Sequence, residues 1–146
     1  MLAQTQSTRL RSAIADDCEL YFVWANDESV REQSFDSRPI VWANHCVWFD
    51  RMLSDPIVKM SVLMVDDNAV GQIRLTQIDG WWNISYSIDA RYRQQGFGQR
   101  IVELGVAGMG RCVAEVKAEN VASNRVFASL GFEQFCLGEV VTWRQG

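Results

Sequence analysis

The sequence predicts an α/β fold in which a mixed, mostly antiparallel central sheet has helices on both faces. Two observations lead to this prediction. Runs rich in β-branched and aromatic residues recur along the chain, three of them in direct succession between residues 58 and 88, and segments with helical apolar spacing lie before and after them. The 146 residues are 48% hydrophobic and 22% charged, which favours a single domain over residues 1–146.

The first third of the chain is predicted to contain one strand and at least two helices. Thr8 to Ala13 has the pattern of a strand, and Asp16-Asp17 can cap the helix that follows it. Asn26 to Pro39 is polar without a clean period, which predicts a loop or short helices. Ile40 to Leu53 has apolar residues at helical spacing, and Ser54-Asp55-Pro56 ends that pattern.

Three β-runs follow and predict an antiparallel meander. Val58 to Val65 and Ala69 to Ile78 are joined by Asp66-Asp67-Asn68, residue types that tolerate a positive φ, so these runs should form a hairpin. After the turn Asp79-Gly80, the run Trp81 to Ile88 alternates between an apolar side and a polar side. Its polar side consists of Asn83, Ser85 and Ser87.

The last third is predicted to form a helix, a strand, a second helix and two strands. In that order, the segments are Gly98 to Val106, Cys112 to Ala118, Val121 to Leu130, Phe132 to Phe135 and Glu139 to Arg144. The strand Cys112 to Ala118 alternates, with one apolar face and an opposite face made of Arg111, Val113, Glu115 and Lys117.

Charge and hydropathy exclude several classes of partner. A net charge of −4 argues against nucleic acid, whose binding needs a clustered basic face. No apolar run approaches the roughly 20 residues that span a bilayer, and the N-terminal residues lack the apolar core of a signal peptide. We therefore expect a cytoplasmic protein without a membrane partner.

The cysteines predict neither a zinc site nor a disulfide framework. The four are widely spaced, form no CxxC pair and have no nearby histidines that could complete a zinc site: Cys18, Cys46, Cys112 and Cys136. Free thiols are the expectation, since a reducing cytoplasm keeps them so. A thiol nucleophile is the alternative, but the sole histidine, His45, cannot serve four candidates. No metal site is expected.

The loop Arg91 to Gly98 has the features of an anion-binding site. It lies between a predicted strand and a predicted helix, so the unpaired N–H groups of the helix start face a ligand placed there. Gly96 and Gly98 let the backbone approach phosphate oxygens without a Cβ in the way. Arg91, Arg93 and Arg100 add positive charge in a chain that is acidic overall.

Two motifs together resemble a known family. Arg93-Gln94-Gln95-Gly96-Phe97-Gly98 resembles the R/Q-x-x-G-x-G/A loop of the GNAT acetyltransferases. Asn120-x-x-Ser-Asn124-x-x-Phe127-x-x-Leu-Gly131-Phe132 resembles their downstream N-x-x-A/S-x-x-x-Y-x-x-x-G-F segment, in the family's order and separation. The family's β-αα-βββ-α-β-α-ββ order also matches the order of elements predicted above over nearly the whole chain.

The resemblance implies acetyl-CoA as the cofactor and a V-shaped gap between the fourth and fifth strands. It implies that the pantetheine arm enters this gap like an extra strand and pairs with the backbone of the strand ending near Ile88. The residues expected to bind the cofactor are Tyr86, Ser87, Ile88, Arg93, Gln94, Gln95, Gly96, Phe97, Gly98, Gln99, Asn120, Asn124 and Phe127. Capping of the last helix is the competing use for Asn120.

Acetyl transfer to an amine needs a base and a proton for the leaving thiolate. Glu115 is the base candidate, because it lies mid-strand beside apolar residues, a costly place for a carboxylate unless it is paired or used. A structural ion pair with Lys117 is the alternative. Phe127 stands where many family members have a tyrosine thought to protonate the thiolate, and a phenyl ring has no proton to give. Tyr86, a serine of the same strand or water is then expected to supply it.

A narrower resemblance concerns the acceptor. It rests on Trp24-x-Asn26, Arg31-x-x-Ser34-Phe35, Ile40, His45-x-x-Trp48-Phe49 and Gly71-Gln72-Ile73-Arg74. These segments are similar to the GNAT subgroup that N-acetylates amino groups on nucleotide-linked deoxysugars, including pseudaminic-acid pathway enzymes. Related patterns also occur in GNAT enzymes that act on ribosomal proteins and polyamines.

The residues of these segments expected to bind substrate are Trp24, Asn26, Arg31 and His45. Ser85 is expected to join them, because it lies on the polar side of the strand that lines the presumed cleft, although solvated strand polarity explains it equally well. His45 is also a candidate base, with a structural role as the alternative. The implied activity is N-acetylation of a small-molecule amine, favouring a nucleotide-linked amino deoxysugar. A protein N-terminus, a polyamine or a non-catalytic acyl-CoA-binding module are the alternatives, and the sequence leaves open whether the chain forms a homodimer.

Overall fold

The computed structural model describes residues 7–136 and 138–146, and of Cys136 only the backbone. Seven strands form one mixed sheet in the order β1-β2-β3-β4-β5-β7-β6, which confirms the predicted fold class. The strands are β1 Thr8–Ser12, β2 Val58–Val65, β3 Asn68–Ile78, β4 Trp81–Ile88, β5 Cys112–Lys117, β6 Glu133–Cys136 and β7 Val140–Gln145. The α-helices are α1 Cys18–Ala25, α2 Glu28–Gln33, α3 Trp42–Ser54, α4 Phe97–Val106 and α5 Val121–Ser129.

Cross-strand pairing assigns the residues to two faces of the sheet. Directly opposed residues share a face, so Arg74 and Ser85 lie on one face, the front, and Ile73 and Tyr86 lie on the other, the back. The alternation predicted for Trp81 to Ile88 is confirmed, because Trp82, Ile84 and Tyr86 pack against the core behind the sheet. The same holds for β5, since Val113 pairs with Asn83 of the front face.

Two hydrophobic clusters cover different parts of the sheet. Behind it, α4 and α5 pack on the strands through a cluster that includes Ile73, Ile101 and Phe127. In front, α1 and α3 pack on β2 through a second cluster that includes Tyr21, Phe49 and Met60. On the front face of β4, β5 and β7, by contrast, Ser85, Glu115 and Arg144 are exposed, so this half of the front is open.

Close packing of α4 on the sheet fixes where its N-terminus lies. A Cβ added at Gly105 would come 2.6 Å from Ile73 Cδ1, so a larger residue would push the helix away from β3. The helix begins at Phe97, one residue before the predicted start, and the other predicted boundaries differ from the observed ones by similarly small amounts.

No α-helix within residues 7–136 and 138–146 is long and apolar enough to cross a membrane. Three thiols, those of Cys18, Cys46 and Cys112, are free. The prediction of a free thiol at Cys136 lies outside the described side chains. Cys18 and Cys46 contact each other between α1 and α3, with their sulfur atoms 4.0 Å apart.

Candidate active site

Strands β4 and β5 separate after a short parallel ladder. Only Trp82 with Cys112 and Asn83 with Val113 are paired in register, and the strands splay beyond that point, as the family resemblance implies. The N–H of Trp82 donates to Arg111 O at 2.8 Å, so the backbone of Trp82 points toward β5. Because backbone direction alternates along a strand, the N–H and C=O groups of Ile84, Tyr86 and Ile88 point into the gap.

This alternation corrects the expectation for Ser87. Its backbone points toward β3 and its side chain lies on the front face, where the Oγ accepts a hydrogen bond from Gln72 Nε2 at 3.0 Å. Of the three residues expected to pair with pantetheine, Tyr86 and Ile88 therefore turn their backbone to the gap and Ser87 does not. Ile88 O already accepts a hydrogen bond from Arg93 Nε at 3.0 Å.

The N-terminus of α4 is built to leave amide groups free. Gly96 precedes the helix in the left-handed conformation, with φ of 84°, and Gln94 also has a positive φ of 62°. No side chain caps this helix start, and the first amide with an internal acceptor is that of Arg100, which donates to Gly96 O at 3.1 Å. The amides of residues 97 to 99 are thus available to an anion.

The side chains of the loop have different roles from those expected. Gln94, Gln95 and Gln99 are exposed around the helix start, in a position to contact a ligand there. The Phe97 side chain is only 7% exposed and packs in the core against Tyr92, so a contact of Phe97 with the cofactor is predicted for its backbone amide. Gly98 lies close to the Tyr86 ring, because an added Cβ would be 3.5 Å from Tyr86 Cε2.

The positive charge expected around the loop is neutralised within the protein. Arg91 pairs with Asp89, and Arg100 pairs with Glu103. Arg93 donates to Asp27 Oδ1 at 3.0 Å and to Ser29 Oγ at 2.8 Å. The expectation that the Arg93 side chain binds phosphate is corrected: its guanidinium joins the end of β4 to the start of α2. Any anion bound here relies on backbone amides.

Helix α2 forms hydrogen bonds with residues from both sides of the gap, one just beyond β4 and one on β5. Arg93, just beyond β4, holds its N-terminal end, and Lys117 Nζ at the end of β5 donates to Glu32 O at 2.8 Å. A helix of six residues is about 9 Å long, which suits a connection between two splayed strands. Asp27 caps this helix by accepting hydrogen bonds from the amides of Ser29 and Val30.

Behind the gap, Tyr86 presents a phenol group toward α5. Its hydroxyl lies 2.9 Å from Ser123 Oγ, and its ring meets Phe127 edge-on with centroids 6.1 Å apart. Burial raises the pKa of Tyr86 above its usual value, so the phenol keeps its proton. Phe127 is 1% exposed between Tyr86 and Phe132. The expectation of direct contact between Phe127 and the cofactor is therefore corrected to a core position behind Tyr86.

Both asparagines of the downstream motif are used to build α5. Asn120 caps the helix by accepting from the Ser123 amide at 3.2 Å, the competing role named for it above. Asn124 Nδ2 donates to Lys117 O at 3.1 Å and to Asn120 O at 3.0 Å, and its Oδ1 accepts from Trp143 Nε1 at 2.8 Å. Asn124 therefore ties β5, α5 and β7 together, and its expected role as a cofactor ligand is corrected.

Glu115 lies on the open front face beside the gap. Its side chain is exposed, so the reasoning that placed a carboxylate among core residues is wrong. The alternative pairing with Lys117 is absent too, because Lys117 Nζ bonds to Glu32 O and the ion pairs of the described residues do not include Glu115. Ser85 is exposed on the same face of β4. Glu115 and Ser85 are thus open to an acceptor from the front.

Two residues expected to bind substrate are buried in the protein interior. His45 is 2% exposed, its Nε2 lies 2.8 Å from Cys18 O, and its ring packs against Trp42 and Phe49. Trp24 is 4% exposed and its Nε1 donates to Asp89 Oδ2 at 2.9 Å. The predictions that His45 is catalytic and that His45 and Trp24 contact substrate are wrong, because both side chains join α1 to neighbouring elements.

Asn26 and Arg31 also have internal partners. The Asn26 side chain forms two hydrogen bonds with the backbone of Ile40: its Nδ2 donates to Ile40 O at 2.9 Å, and its Oδ1 accepts from Ile40 N at 2.7 Å. Arg31 donates to Ala25 O, Asp36 O, Arg38 O and Ser34 Oγ, which fixes the loop after α2. Their expected contacts with substrate are corrected to the shaping of the segment between α1 and α3.

Several front-face residues were missed as site candidates by the sequence reasoning. Gln72 Oε1 is buried beside Ser87 and has no hydrogen-bond partner among the described residues, and the same is true of Gln33 Oε1 at the end of α2. Arg74 stacks over Trp48, with 5.1 Å between its guanidinium carbon and the ring centroid, and burial lowers its pKa. The alternation of β3 could have indicated Gln72 and Arg74, since both interrupt a run of apolar residues.

The family model for an acetyltransferase (GNAT) domain matches residues 8–133 of the chain. The chain belongs to the GNAT acetyltransferase family, and this membership makes it an acetyl-CoA-dependent N-acetyltransferase. No curated protein sequence matches it significantly.

Solved structures confirm the fold at low sequence identity. A domain from Methanocaldococcus jannaschii has a TM-score of 0.84 at 19% identity, covering 96% of this chain and 98% of that one. Aminoglycoside acetyltransferase AAC(6')-Ib in complex with coenzyme A has a TM-score of 0.81 at 16% identity, with 95% and 94% covered. Spermidine N-acetyltransferase from Vibrio cholerae, in complex with CoA and spermine, has a TM-score of 0.79 at 15% identity, with 94% and 92% covered.

The residues present fit acetyl-CoA. The free amides of residues 97 to 99 suit a pyrophosphate, and the backbone groups of Ile84, Tyr86 and Ile88 offer an unpaired strand edge to the pantetheine amides. The cofactor supplies the acetyl group as a thioester.

Proposed function

We propose that the chain transfers the acetyl group of acetyl-CoA directly to a primary amine that enters from the open front face. The observation that supports this most is the combination of the splay between β4 and β5 with an uncapped helix start at its upper end. A cofactor held along the splay turns one side to the front face, where Ser85 and Glu115 are exposed.

Glu115 is proposed as the general base, acting directly or through water. In the transfer, the amine nitrogen forms a bond to the acetyl carbon, the carbon–sulfur bond breaks and the amine loses a proton. Glu115 is the acidic residue of β5 on the open face, and its exposure leaves it free to pass that proton on to solvent.

Tyr86 is proposed as the group that protonates the leaving thiolate. Phe127 has no proton to donate, whereas the Tyr86 phenol keeps its proton and lies behind the gap beside Ser123. Ser123 can orient the hydroxyl by a hydrogen bond at 2.9 Å. Tyr86 would thus act from β4, whereas many family members have a tyrosine at the position of Phe127 on α5.

A nucleotide-linked amino deoxysugar is the acceptor that we propose, in a small-molecule reaction of the cytoplasm. The narrower resemblance gives limited support to this choice, because Trp24, Asn26 and Arg31, which belong to it, have internal partners. Further support comes from the two arginines stacked on Trp81 on the open front face, described below. Polyamines and protein N-termini remain the alternative amines.

Turnover of acetyl-CoA with a panel of amines tests the proposal. Release of free thiol should be measured with a nucleotide-linked amino sugar, the corresponding free amino sugar, a polyamine and a peptide with a free N-terminus. We expect thiol release and an acetylated product with the nucleotide-linked compound. Calorimetric binding of acetyl-CoA with no thiol release from any amine would overturn the proposal and favour a non-catalytic acyl-CoA-binding module.

A further inference from the structure

Two arginines and a tryptophan form a cluster on the open front face, at the end of the sheet where β4 begins. The guanidinium carbon of Arg111 lies 4.7 Å from the centroid of the Trp81 ring, and that of Arg144 lies 5.1 Å from the same ring. Arg144 also stacks on Phe135 of β6 at 4.8 Å. We call these residues, Trp81, Arg111 and Arg144, the arginine–tryptophan cluster.

Neither arginine of this cluster forms an ion pair within the described part of the chain. Its ion pairs involve five other arginines, and neither Arg111 nor Arg144 is among them. Glu133 is the register partner of Arg144 on β6, yet it forms no ion pair with it. Both guanidinium groups stack on the same indole, and an anion that contacts both would offset their charges.

The arginines of the cluster differ from those of the cofactor loop. At the loop, Arg91, Arg93 and Arg100 all have carboxylate partners. Among the described residues, Arg111 and Arg144 form no ion pair, as is also true of exposed arginines elsewhere such as Arg9 and Arg51. What distinguishes Arg111 and Arg144 is that both stack on one aromatic ring of the open face.

The cluster lies within reach of the reacting end of the gap. Ser85 and Trp81 are four residues apart on the same face of β4, which corresponds to about 13 Å along the strand. The helix start at Gly96 lies beyond the opposite end of β4, so the cluster is separate from the amides that would hold the cofactor's pyrophosphate. A sugar ring followed by a diphosphate is long enough to extend from Ser85 to Trp81.

We propose that the arginine–tryptophan cluster binds the phosphate groups of the acceptor, so that the acceptor is an amine bearing a phosphate or diphosphate. This inference rests on the proposed function, because it assigns a second subsite to the same open face. An arginine guanidinium can donate two parallel hydrogen bonds to phosphate oxygens. Stacking on the Trp81 ring holds the guanidinium groups of Arg111 and Arg144 in place. A neutral or cationic amine would gain nothing from this cluster.

Binding of uridine diphosphate and of inorganic pyrophosphate to the CoA-saturated protein tests the subsite directly. Saturation with CoA fills the cofactor's own phosphate site, so calorimetry then reports only a second site. The variant Arg111→Gln/Arg144→Gln removes both charges. Its matched control is Arg9→Gln/Arg51→Gln, which changes the net charge equally at two exposed arginines on β1 and α3.

We expect uridine diphosphate to bind and its Kd to rise about tenfold or more in the cluster variant, with the control unchanged. Single replacements of Arg111 or Arg144 by glutamine should give smaller losses. In kinetics, kcat/KM for the phosphate-bearing amine should fall in the cluster variant, while kcat/KM for the corresponding phosphate-free amine should not.

Equal nucleotide affinity in the cluster variant and the control would overturn the inference, as would unchanged kcat/KM for the phosphate-bearing amine. Failure of the proposed function looks different, because then no amine of the panel would release thiol although acetyl-CoA binds. Acetylation of amines with no preference for phosphate would leave the proposed function intact and refute the subsite.

Discussion

Replacement of Gly96 by glutamate tests whether the amides at the start of α4 hold the cofactor. Gly96 has φ of 84° and ψ of 3°, and an added Cβ would meet nothing within 4 Å. Its substitution therefore strains the backbone without a clash. The left-handed conformation destabilises a folded L-residue by roughly 1–2 kcal/mol. Replacing glycine also restricts the unfolded chain, which stabilises the folded state by about 0.4–1 kcal/mol and offsets part of that cost. The free energy of unfolding should fall by about 1 kcal/mol, a shift in Tm of about 2–4 °C.

The new carboxylate should weaken acetyl-CoA binding by more than this strain explains. A negative charge about 6 Å from one phosphate charge costs about 0.7 kcal/mol in water-like surroundings and about 3 kcal/mol at an effective dielectric of 20. With two phosphates nearby, the Kd should rise about tenfold or more. Isothermal titration calorimetry measures the Kd, and thermal unfolding measures the stability.

Gly108→Glu is the matched control. Gly108 follows the other end of α4, has φ of 74° and likewise has open space where a Cβ would be. The two variants should lose similar stability, and only Gly96→Glu should lose affinity. If both bind acetyl-CoA with the same Kd, the helix start does not hold the cofactor's phosphates and the placement of the site is refuted.

Three further outcomes are expected. Glu115→Gln should lower kcat roughly 100-fold with the acetyl-CoA Kd unchanged, and near-normal turnover would exclude it as the base. Tyr86→Phe should lower kcat in steady-state kinetics without lowering affinity, and an unchanged kcat would assign thiolate protonation to water. The Arg91 side chain, and to a smaller extent the Trp24 indole, lower the pKa of Asp89. The ionised Asp89 carboxylate therefore stabilises the fold above a pH of about 4, and this stabilisation is lost as the pH falls through the lowered pKa. Asp89→Asn should therefore lower Tm at pH 7 and reduce the loss of Tm on acidification, and an unaltered pH profile would contradict this.

The sequence predicted the fold because its patterns are local. Alternation along Trp81 to Ile88 assigned the faces of β4, and the turn Asp66-Asp67-Asn68 located the hairpin, where Asp66 has φ of 54°. The separation of β4 from β5 followed from the family resemblance, and the structure confirms it. In each case a period or a turn residue was sufficient, since neighbours along the chain determine the local geometry.

The roles of polar side chains were predicted poorly because their partners are distant in the sequence. His45 bonds to the carbonyl of a residue 27 positions away, and Trp24 bonds to Asp89, 65 positions away. A polar side chain whose partner belongs to the protein is indistinguishable in sequence from one that awaits a ligand. Glu115 illustrates the reverse error, because apolar neighbours in sequence suggested burial on a face that the fold leaves open.

We expect recognition of the acceptor to depend little on Asn26, Arg31 and His45 of the narrower resemblance. Asn26 and Arg31 are committed to the loop between α1 and α3, and His45 is enclosed between aromatic rings. A family of enzymes with different acceptors can keep such residues, because they support α2 beside the gap whatever amine is bound. The side chains that we expect to contact the acceptor are those of the open face without an internal partner, and they include Arg111 and Arg144 as well as Ser85 and Glu115. Arg111 and Arg144 are therefore the positions at which we expect acceptor specificity to be determined.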